Sequence, residues 1–311
     1  MLSIQREVPL APFSTFRIGG PADFFASVTT TPELIEALEY ATVNDLKTFV
    51  FSGGSNLLIA DRGFRGLVIR VANTAARVTG RDIYADAGAA LIDIVRLAES
   101  HGLAGMEKLA GIPGSLGGAI RGNAGAFGME IQNVVVSVKV YDRKAKAPRE
   151  FLLKDCAFEY RASFFKSHPE LVILSTQLRF AAGEEALLRR IADETLATRE
   201  AKHPQSARCA GSFFMNPEVT DEKLREEFAH ETGKTPKDGK LPAGWLIDHA
   251  GLRGKKIGGA QVSPLHPNYI VNTGHATAEE VIMLASVVKQ RVRSELGIQL
   301  REEVQLVGFS I

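Results

Sequence analysis

The sequence predicts an α+β protein of more than one packed unit, and three observations carry that prediction. Segments with helical and strand periodicity alternate over the first hundred residues. From residue 102 to residue 128 glycine and alanine are dense and regular periodicity disappears, and the last third returns to mixed helix and strand patterns. At 311 residues the chain is long enough for two or three such units.

The elements follow in order. Thr31-Pro32-Glu33 is a helix start, with a capping hydroxyl, proline at the first helical position and an acid in the first turn. Leu34, Ile35, Leu38 and Ala41 then make one apolar face. The apolar run 48–51 reads as a strand entering Gly53-Gly54, and 67–71 reads as another. Residues 91–100 form a helix closed by Gly102, the residue type favoured at a left-handed C-terminal cap. Residues 134–141 and 171–180 read as strands. A long helix over 184–202 turns Leu187, Leu188, Ile191 and Leu196 inward and is the candidate connection between domains. Residues 277–296 are an amphipathic helix with Val281, Leu284, Ala285, Val288 and Val292 on one face. Gly297 ends it, and 303–309 closes the chain as a strand.

Composition narrows the function. The chain is 45% hydrophobic and 23% charged, with 37 Lys plus Arg against 36 Asp plus Glu. That balance leaves no electrostatic footprint for nucleic acid or an anionic membrane, so an anionic ligand must be held by a local group of cations. Cys156 and Cys209 fit no zinc or redox spacing and read as free thiols in a reducing compartment. The N-terminus lacks the apolar stretch of a signal peptide, and no run reaches the roughly 18 apolar residues of a membrane span. The expected location is the cytoplasm, and no obligate protein partner is evident.

Two nucleotide motifs fail. Gly233-Lys234-Thr235 resembles the end of a P-loop, but the glycine required five residues upstream is Phe228. No GxGxxG follows an early strand, so a dinucleotide-binding Rossmann unit is not supported. The seven histidines are scattered, without HExxH, and there is no CxxC, so no metal is expected.

The glycine segments are more informative. Gly53-Gly54-Ser55-Asn56 directly follows a strand, where bare backbone lets N–H groups point at a phosphate. A tight turn between strands is the equal alternative for this tetrad alone. Gly111-Ile112-Pro113-Gly114-Ser115-Leu116-Gly117-Gly118-Ala119 carries four glycines in nine residues, and Asn123-Ala124-Gly125-Ala126-Phe127-Gly128 is again built of small residues where something flat could approach. Two such loops suit a ligand with a pyrophosphate and an extended aromatic part.

Six ordered blocks then resemble the MurB family, the UDP-N-acetylenolpyruvoylglucosamine reductases. They are Thr15-Phe16-Arg17-Ile18-Gly19-Gly20; Gly53-Gly54-Ser55-Asn56-Leu57-Leu58; Ala110-Gly111-Ile112-Pro113-Gly114-Ser115 with Asn123-Ala124-Gly125-Ala126; Tyr160-Arg161-Ala162-Ser163; Ala210-Gly211-Ser212-Phe213-Phe214-Met215-Asn216-Pro217; and Ala243-Gly244-Trp245-Leu246-Ile247-Asp248. The similarity runs from about residue 13 to residue 308, and the short stretch between Tyr160 and Glu184 resembles the shorter, type II branch.

The resemblance implies a two-lobed VAO/PCMH-type FAD-binding domain over 1–182, with lobes of about 1–72 and 73–182. It implies an α+β C-terminal substrate domain over 183–311, whose last strand packs back on the FAD domain. FAD would be the bound cofactor, NADPH the co-substrate and an enolpyruvyl UDP-sugar the hydride acceptor. Gly53, Gly54, Ser55, Asn56, Leu57, Ile112, Pro113, Gly114, Ser115, Gly117, Gly118, Asn123, Ala124 and Gly125 match the cofactor positions.

Ser212 matches the proton donor, although a serine in a small-residue turn is more often an ordinary cap. Arg161 matches the group that stabilises charge on the substrate carboxylate, and a guanidinium suits that planar group. Glu303 matches the assisting acid; the other reading of Arg301-Glu302-Glu303 is a solvated charge cluster, and Arg301 stands where the family more usually has Glu. Lys202, Arg253 and Asn216 match contacts to the substrate diphosphate, and Tyr160 and His266 lie nearer the sugar. Met215 replaces the lysine common in relatives, which removes one cation from the nucleotide end. Two other readings compete: a flavin oxidase of a small alcohol or hydroxy acid on the same fold, which should lack the Ser212, Arg161 and Glu303 set, and a non-catalytic nucleotide-sugar sensor.

Overall fold

The computed structural model describes residues 2–202, 207–236 and 238–309, with Lys202 described by its backbone alone. The chain divides into two compact units. The first comprises Met1–Val8, Pro21–Gly54 and Phe64–Ala201, and the second Pro9–Gly20, Ser55–Gly63 and Lys202–Ile311.

The first unit holds two larger sheets and two short two-stranded pairs. One larger sheet has the order Gln5–Pro9, Pro21–Val28, Phe64–Val71, Thr48–Phe51, and Phe64–Val71 runs parallel to both Pro21–Val28 and Thr48–Phe51. The three parallel strands are rich in apolar residues, as strands covered on both faces are, whereas the edge strand Gln5–Pro9 is polar and exposed. The Thr31–Val43 helix supplies the crossover and buries Leu34, Ala37, Leu38 and Ala41. The other sheet is antiparallel, in the order Ala147–Leu152, Val135–Asp142, Leu171–Arg179, Asp82–Asp86, Ala76–Thr79.

The second unit packs the Glu222–Thr232, Ala243–His249 and Ala278–Leu296 helices with a three-stranded antiparallel sheet of Lys256–Ile257, Ala260–Val262 and Ile270–Asn272. Ala278–Leu296 buries the five residues that its period selects, caps its start with Thr277 and ends at Gly297 with φ +68°. A separate two-stranded pair joins Leu57–Ile59 to Gln305–Val307 in parallel.

Several sequence expectations shift. The helix after residue 30 is capped by Thr30, whose hydroxyl accepts from the Glu33 amide at 3.3 Å, so Pro32 is the second helical residue and not the first. Leu187, expected inward, is 41% exposed, and Leu188 and Ala192 take the buried face. The closing strand is Gln305–Val307, shorter than 303–309, because only three residues find partners on Leu57–Ile59.

The boundary expected at 182/183 differs from the compact division at 201/202. The long helix, Glu185–Lys202, goes with the first unit because Ala192 is part of that unit's core. Pro9–Gly20 and Ser55–Gly63, read as part of the first lobe, belong to the second unit because Phe16, Ile18 and Leu58 are buried in its core.

Candidate active site

The glycine loops owe their composition to backbone geometry. In the first unit a Cβ at Gly53 would lie 3.0 Å from the Cα of Gly114, so the two loops meet backbone to backbone. Gly114 itself has φ +117° and Gly54 φ +62°, conformations that L side chains rarely adopt. Ser115 caps the Leu116–Arg121 helix, its hydroxyl accepting from the Gly118 amide at 3.3 Å. The Leu116 amide donates to the Ala89 carbonyl and the Gly117 amide to the Ala87 carbonyl, each at 2.8 Å. With the Ile112 and Ala119 amides, which donate to Leu109 and Ser115, five amides of the second loop are committed within the protein, and a phosphate there must be met by others. Within 4 Å, a Cβ at Gly118 would meet only the Ser115 hydroxyl. Backbone this bare fits a large cofactor with a flat ring and phosphates.

The small-residue run that follows is a hairpin, Gly125–Ala126 against Met129–Glu130. Asn123 is fully buried and holds it. Its Nδ2 donates to the Glu130 carboxylate at 2.9 Å and to the Glu159 carbonyl at 3.0 Å, and its Oδ1 accepts from the Gln132 amide at 3.4 Å. The Asn123 side chain, matched to a cofactor position, is therefore spent on tying this hairpin to the turn that carries Arg161. Ala124 joins the same framework, its amide donating to Ala119 and its carbonyl accepting from Ile131.

That turn is tight. Glu159 and Ala162 exchange both backbone hydrogen bonds at 3.1 Å, leaving Tyr160 and Arg161 at the tip. Arg161 has φ +58°, a strained value for a residue with a side chain. Its Nη2 donates to the Gly125 carbonyl at 3.3 Å, and its guanidinium carbon lies 5.2 Å from the Tyr160 ring centroid. Burial lowers the pKa of nearby Arg121, the last residue of the Leu116–Arg121 helix.

In the second unit the structure brings together the segments that carry Ser212 and Glu303. Gly211, at φ +75°, turns the chain into Ser212. The next residues pair antiparallel with 301–303: the Glu303 amide donates to the Phe213 carbonyl at 2.8 Å, and the Met215 amide to the Arg301 carbonyl at 2.9 Å. Glu302 forms a 2.6 Å ion pair with Lys289. Adjacent residues on an extended segment face opposite ways, so this pair distinguishes Glu302 from Glu303. Asn56 links the first glycine loop to the same segment. Its Nδ2 donates to the Glu303 carbonyl at 3.1 Å, and its own carbonyl accepts from the Gln305 amide at 3.0 Å. Burial raises the thiol pKa of Cys209, three residues before Ser212.

The residues matched to substrate contacts divide. The Asn216 carbonyl oxygen accepts from the Ala243 amide at 2.9 Å and caps the Ala243–His249 helix. Arg253 makes a fork with Asp248 at 2.7 and 2.6 Å and donates to the Pro264 carbonyl at 2.6 Å. Its hydrogen bond to Asp248 raises its pKa, and the guanidinium acts here as a clamp between loops. The His266 ring lies 4.8 Å from the Tyr269 ring and beneath Gly244. The Lys202 side chain lies outside the described residues.

Sequence reasoning missed Asn268, which is 3% exposed and hydrogen-bonded on both sides of Phe214. Its local sequence, His266-Pro267-Asn268, reads only as a turn. It also missed Glu227, Glu231 and His249, whose ligand-type atoms lie within 4.8 Å of one another around Trp245, because they come from two helices.

Known proteins resemble the chain in both of its parts. A family model described as the UDP-N-acetylenolpyruvoylglucosamine reductase C-terminal domain matches residues 203–307, and one described as an FAD binding domain matches residues 22–147. A UDP-N-acetylenolpyruvoylglucosamine reductase of Solibacter usitatus is 39% identical over 311 residues, covering 99% of this chain and 97% of that protein. One from Heliobacterium modesticaldum is 37% identical, covering 98% and 91%. The crystal structure of the reductase from Thermus caldophilus superposes with a TM-score of 0.78 at 29% identity, covering 99% of this chain and all of that one. Identity at this level along essentially the whole chain, on the same fold, places this protein in the UDP-N-acetylenolpyruvoylglucosamine reductase family.

Proposed function

We propose that this chain reduces the enolpyruvyl ether of UDP-N-acetylglucosamine to UDP-N-acetylmuramate at the expense of NADPH, a step of peptidoglycan precursor synthesis, with Ser212 as the proton donor. Bound FAD supplies the two-electron relay between NADPH and the double bond. Addition of hydride to the terminal enolpyruvyl carbon puts negative charge on the adjacent carbon and its carboxylate. The chain's own task is to hold that carboxylate and deliver one proton to that carbon.

Arg161 binds and neutralises the carboxylate through its planar fork, a geometry lysine cannot reproduce. Ser212 gives its hydroxyl proton to the carbon; an alcohol is a weak acid, but a carbanion-like centre is a strong enough base to take it. Glu303, protonated, donates a hydrogen bond to the same charge as it develops. Tyr160, Asn216 and His266 border the sugar and diphosphate, with Lys202 as a cation at the nucleotide end. Arg253 reaches the diphosphate only if its fork to Asp248 opens. The reaction is placed in the cytoplasm, where nucleotide sugars and NADPH are held; among the described residues no helix is long and apolar enough to cross a membrane.

The observation that supports this reading is the antiparallel pairing of the segment that follows Ser212 with the segment that carries Glu303, through the 2.8 Å bond from the Glu303 amide to the Phe213 carbonyl. Anaerobic rapid mixing tests it. The yellow protein is expected to bleach with NADPH and to recolour with the enolpyruvyl UDP-sugar. Ser212→Ala should leave bleaching nearly intact and slow recolouring by about 10²–10⁴-fold, the usual cost of a lost acid–base group. Equal loss in both half-reactions would make Ser212 structural, and recolouring by oxygen alone would favour an oxidase.

A further inference from the structure

We propose that Asn268 is the positioning residue for Ser212, fixing the two peptide units that follow it so that its hydroxyl faces the carbon to be protonated. The inference rests on Ser212 being the proton donor. Residues 213–215 form the middle of a narrow three-layer ladder. One side is backbone, where 213–215 pairs with 301–303. The other side has no regular strand. Instead the Phe213 amide donates to the Asn268 carbonyl at 2.7 Å, the Phe214 amide donates to Asn268 Oδ1 at 3.0 Å, and Asn268 Nδ2 donates to the Phe214 carbonyl at 2.8 Å.

A carboxamide offers one donor and one acceptor with the spacing of a peptide group. The Asn268 side chain thus closes the ring of two hydrogen bonds that a paired strand residue would close, at a point where the chain is turning and no strand can run. Both bonds are buried, where an unmet amide or carbonyl is costly, so they hold Phe214 firmly. Phe213 and Phe214, each 1% exposed, pack their rings against one another at 5.1 Å between centroids and bury the same peptides.

On the other flank of Ser212 the restraint is lighter, a contact of the Gly211 backbone with the Cys209 thiol. Gly211 has φ +75° and nothing within 4 Å of the position its Cβ would occupy. Among the described residues the Ser212 hydroxyl is engaged by no hydrogen bond. The peptide after Ser212, which Asn268 clamps, carries the larger share of the hydrogen bonds that set the direction of that hydroxyl. An ionised aspartate at 268 could accept from the Phe214 amide but could not donate to its carbonyl, and a serine would have to meet both from a single oxygen, which accounts for an amide at this position.

The test is a double-mutant cycle on the separated half-reactions of the intact FAD-loaded enzyme. Asn268→Ala is expected to slow recolouring by the enolpyruvyl UDP-sugar by about 10–10²-fold, the range that a misplaced catalytic group costs. Bleaching by NADPH should change by less than about twofold. In the Ser212→Ala background the same change should add less than about threefold, because the group it positions is already gone. Full additivity, or equal loss in both half-reactions, overturns the proposal. Should Asn268→Ala fail to retain flavin, Asn268→Gln keeps the carboxamide and moves it by one methylene. Loss confined to recolouring is then expected, and unchanged recolouring overturns the proposal. If Ser212→Ala slows recolouring and neither Asn268 variant does, only this inference fails. If Ser212→Ala has no effect, the proton-donor reading fails with it.

Discussion

Arg161 shows how a single residue can carry a cost to stability for the sake of its side chain. At φ +58° its backbone occupies a region that costs a non-glycine residue roughly 1–2 kcal/mol, and glycine would occupy it freely. The charge-assisted bond from Nη2 to the Gly125 carbonyl, at 3.3 Å, stabilises by about 1.5–3 kcal/mol, and the guanidinium also lies 5.2 Å from the Tyr160 ring. Relief of the backbone strain offsets part of these lost contacts, so Arg161→Gly is expected to change the melting temperature little while recolouring of the reduced flavin by substrate is lost. Arg161→Lys should lose that half-reaction as well, since it retains charge without the fork. A marked fall in melting temperature for Arg161→Gly, measured by calorimetry, would show that the residue is kept for the fold.

At the scale of elements, the start of the Ala278–Leu296 helix has more capping than one helix requires. The Thr277 hydroxyl accepts from the Glu280 amide at 3.2 Å, and the Glu280 carboxylate accepts from the Thr277 amide at 3.1 Å and the Gly259 amide at 3.0 Å. Asp61 accepts from the Ala278 and Glu279 amides at 3.0 and 3.2 Å. With Asp61 retained, Thr277→Ala should cost about 1 kcal/mol, read from denaturant melts. The hydrogen bonds from Thr277 and Gly259 hold the Glu280 carboxyl below its usual range, the Thr277 bond contributing most. A depressed carboxyl adds stability above its unfolded pKa and loses it as pH falls through the folded one. Glu280→Gln should therefore flatten part of the acid limb of stability below about pH 4.5, the ordinary glutamate value. An acid limb of unchanged slope would show that Glu280 is not among the groups that set it.

Across the whole molecule, burial decides what the thiols can do. Cys156 and Cys209 are free and buried, and desolvation pushes the Cys156 thiol up to about 12 and the Cys209 thiol up as well. Neither is then a useful nucleophile near neutral pH in the folded state. A thiol reagent at pH 8 should label both only as fast as the chain opens, with urea accelerating labelling in step with unfolding. Rapid labelling of native protein by mass spectrometry would contradict that.

Legibility followed the range of the interactions. The Ala278–Leu296 helix and the Thr48–Phe51 strand are specified by periodicity and by caps within a few residues, and both were readable. The glycine loops, Arg161, Ser212 and Glu303 were legible as residue types in an order that resembles a family. Their partners were not. Nothing near Arg253 in sequence shows that its fork closes on Asp248 and Pro264, and nothing near Asn123 shows that its amide is consumed by Glu130 and Glu159.

The sequence by itself determined bare backbone where a flat, phosphorylated cofactor fits, and its resemblance to a family pointed to a cation, a hydroxyl and an acid as the groups to test. Only the tertiary structure decided which of these groups stand together and which are spent on the fold. Leu57–Ile59 pairs with Gln305–Val307 across almost the whole chain, and Pro9–Gly20 leaves its sequence neighbours for the second unit. Such contacts form by closing very long loops, and the residues on either side carry no local mark of the partner they will meet.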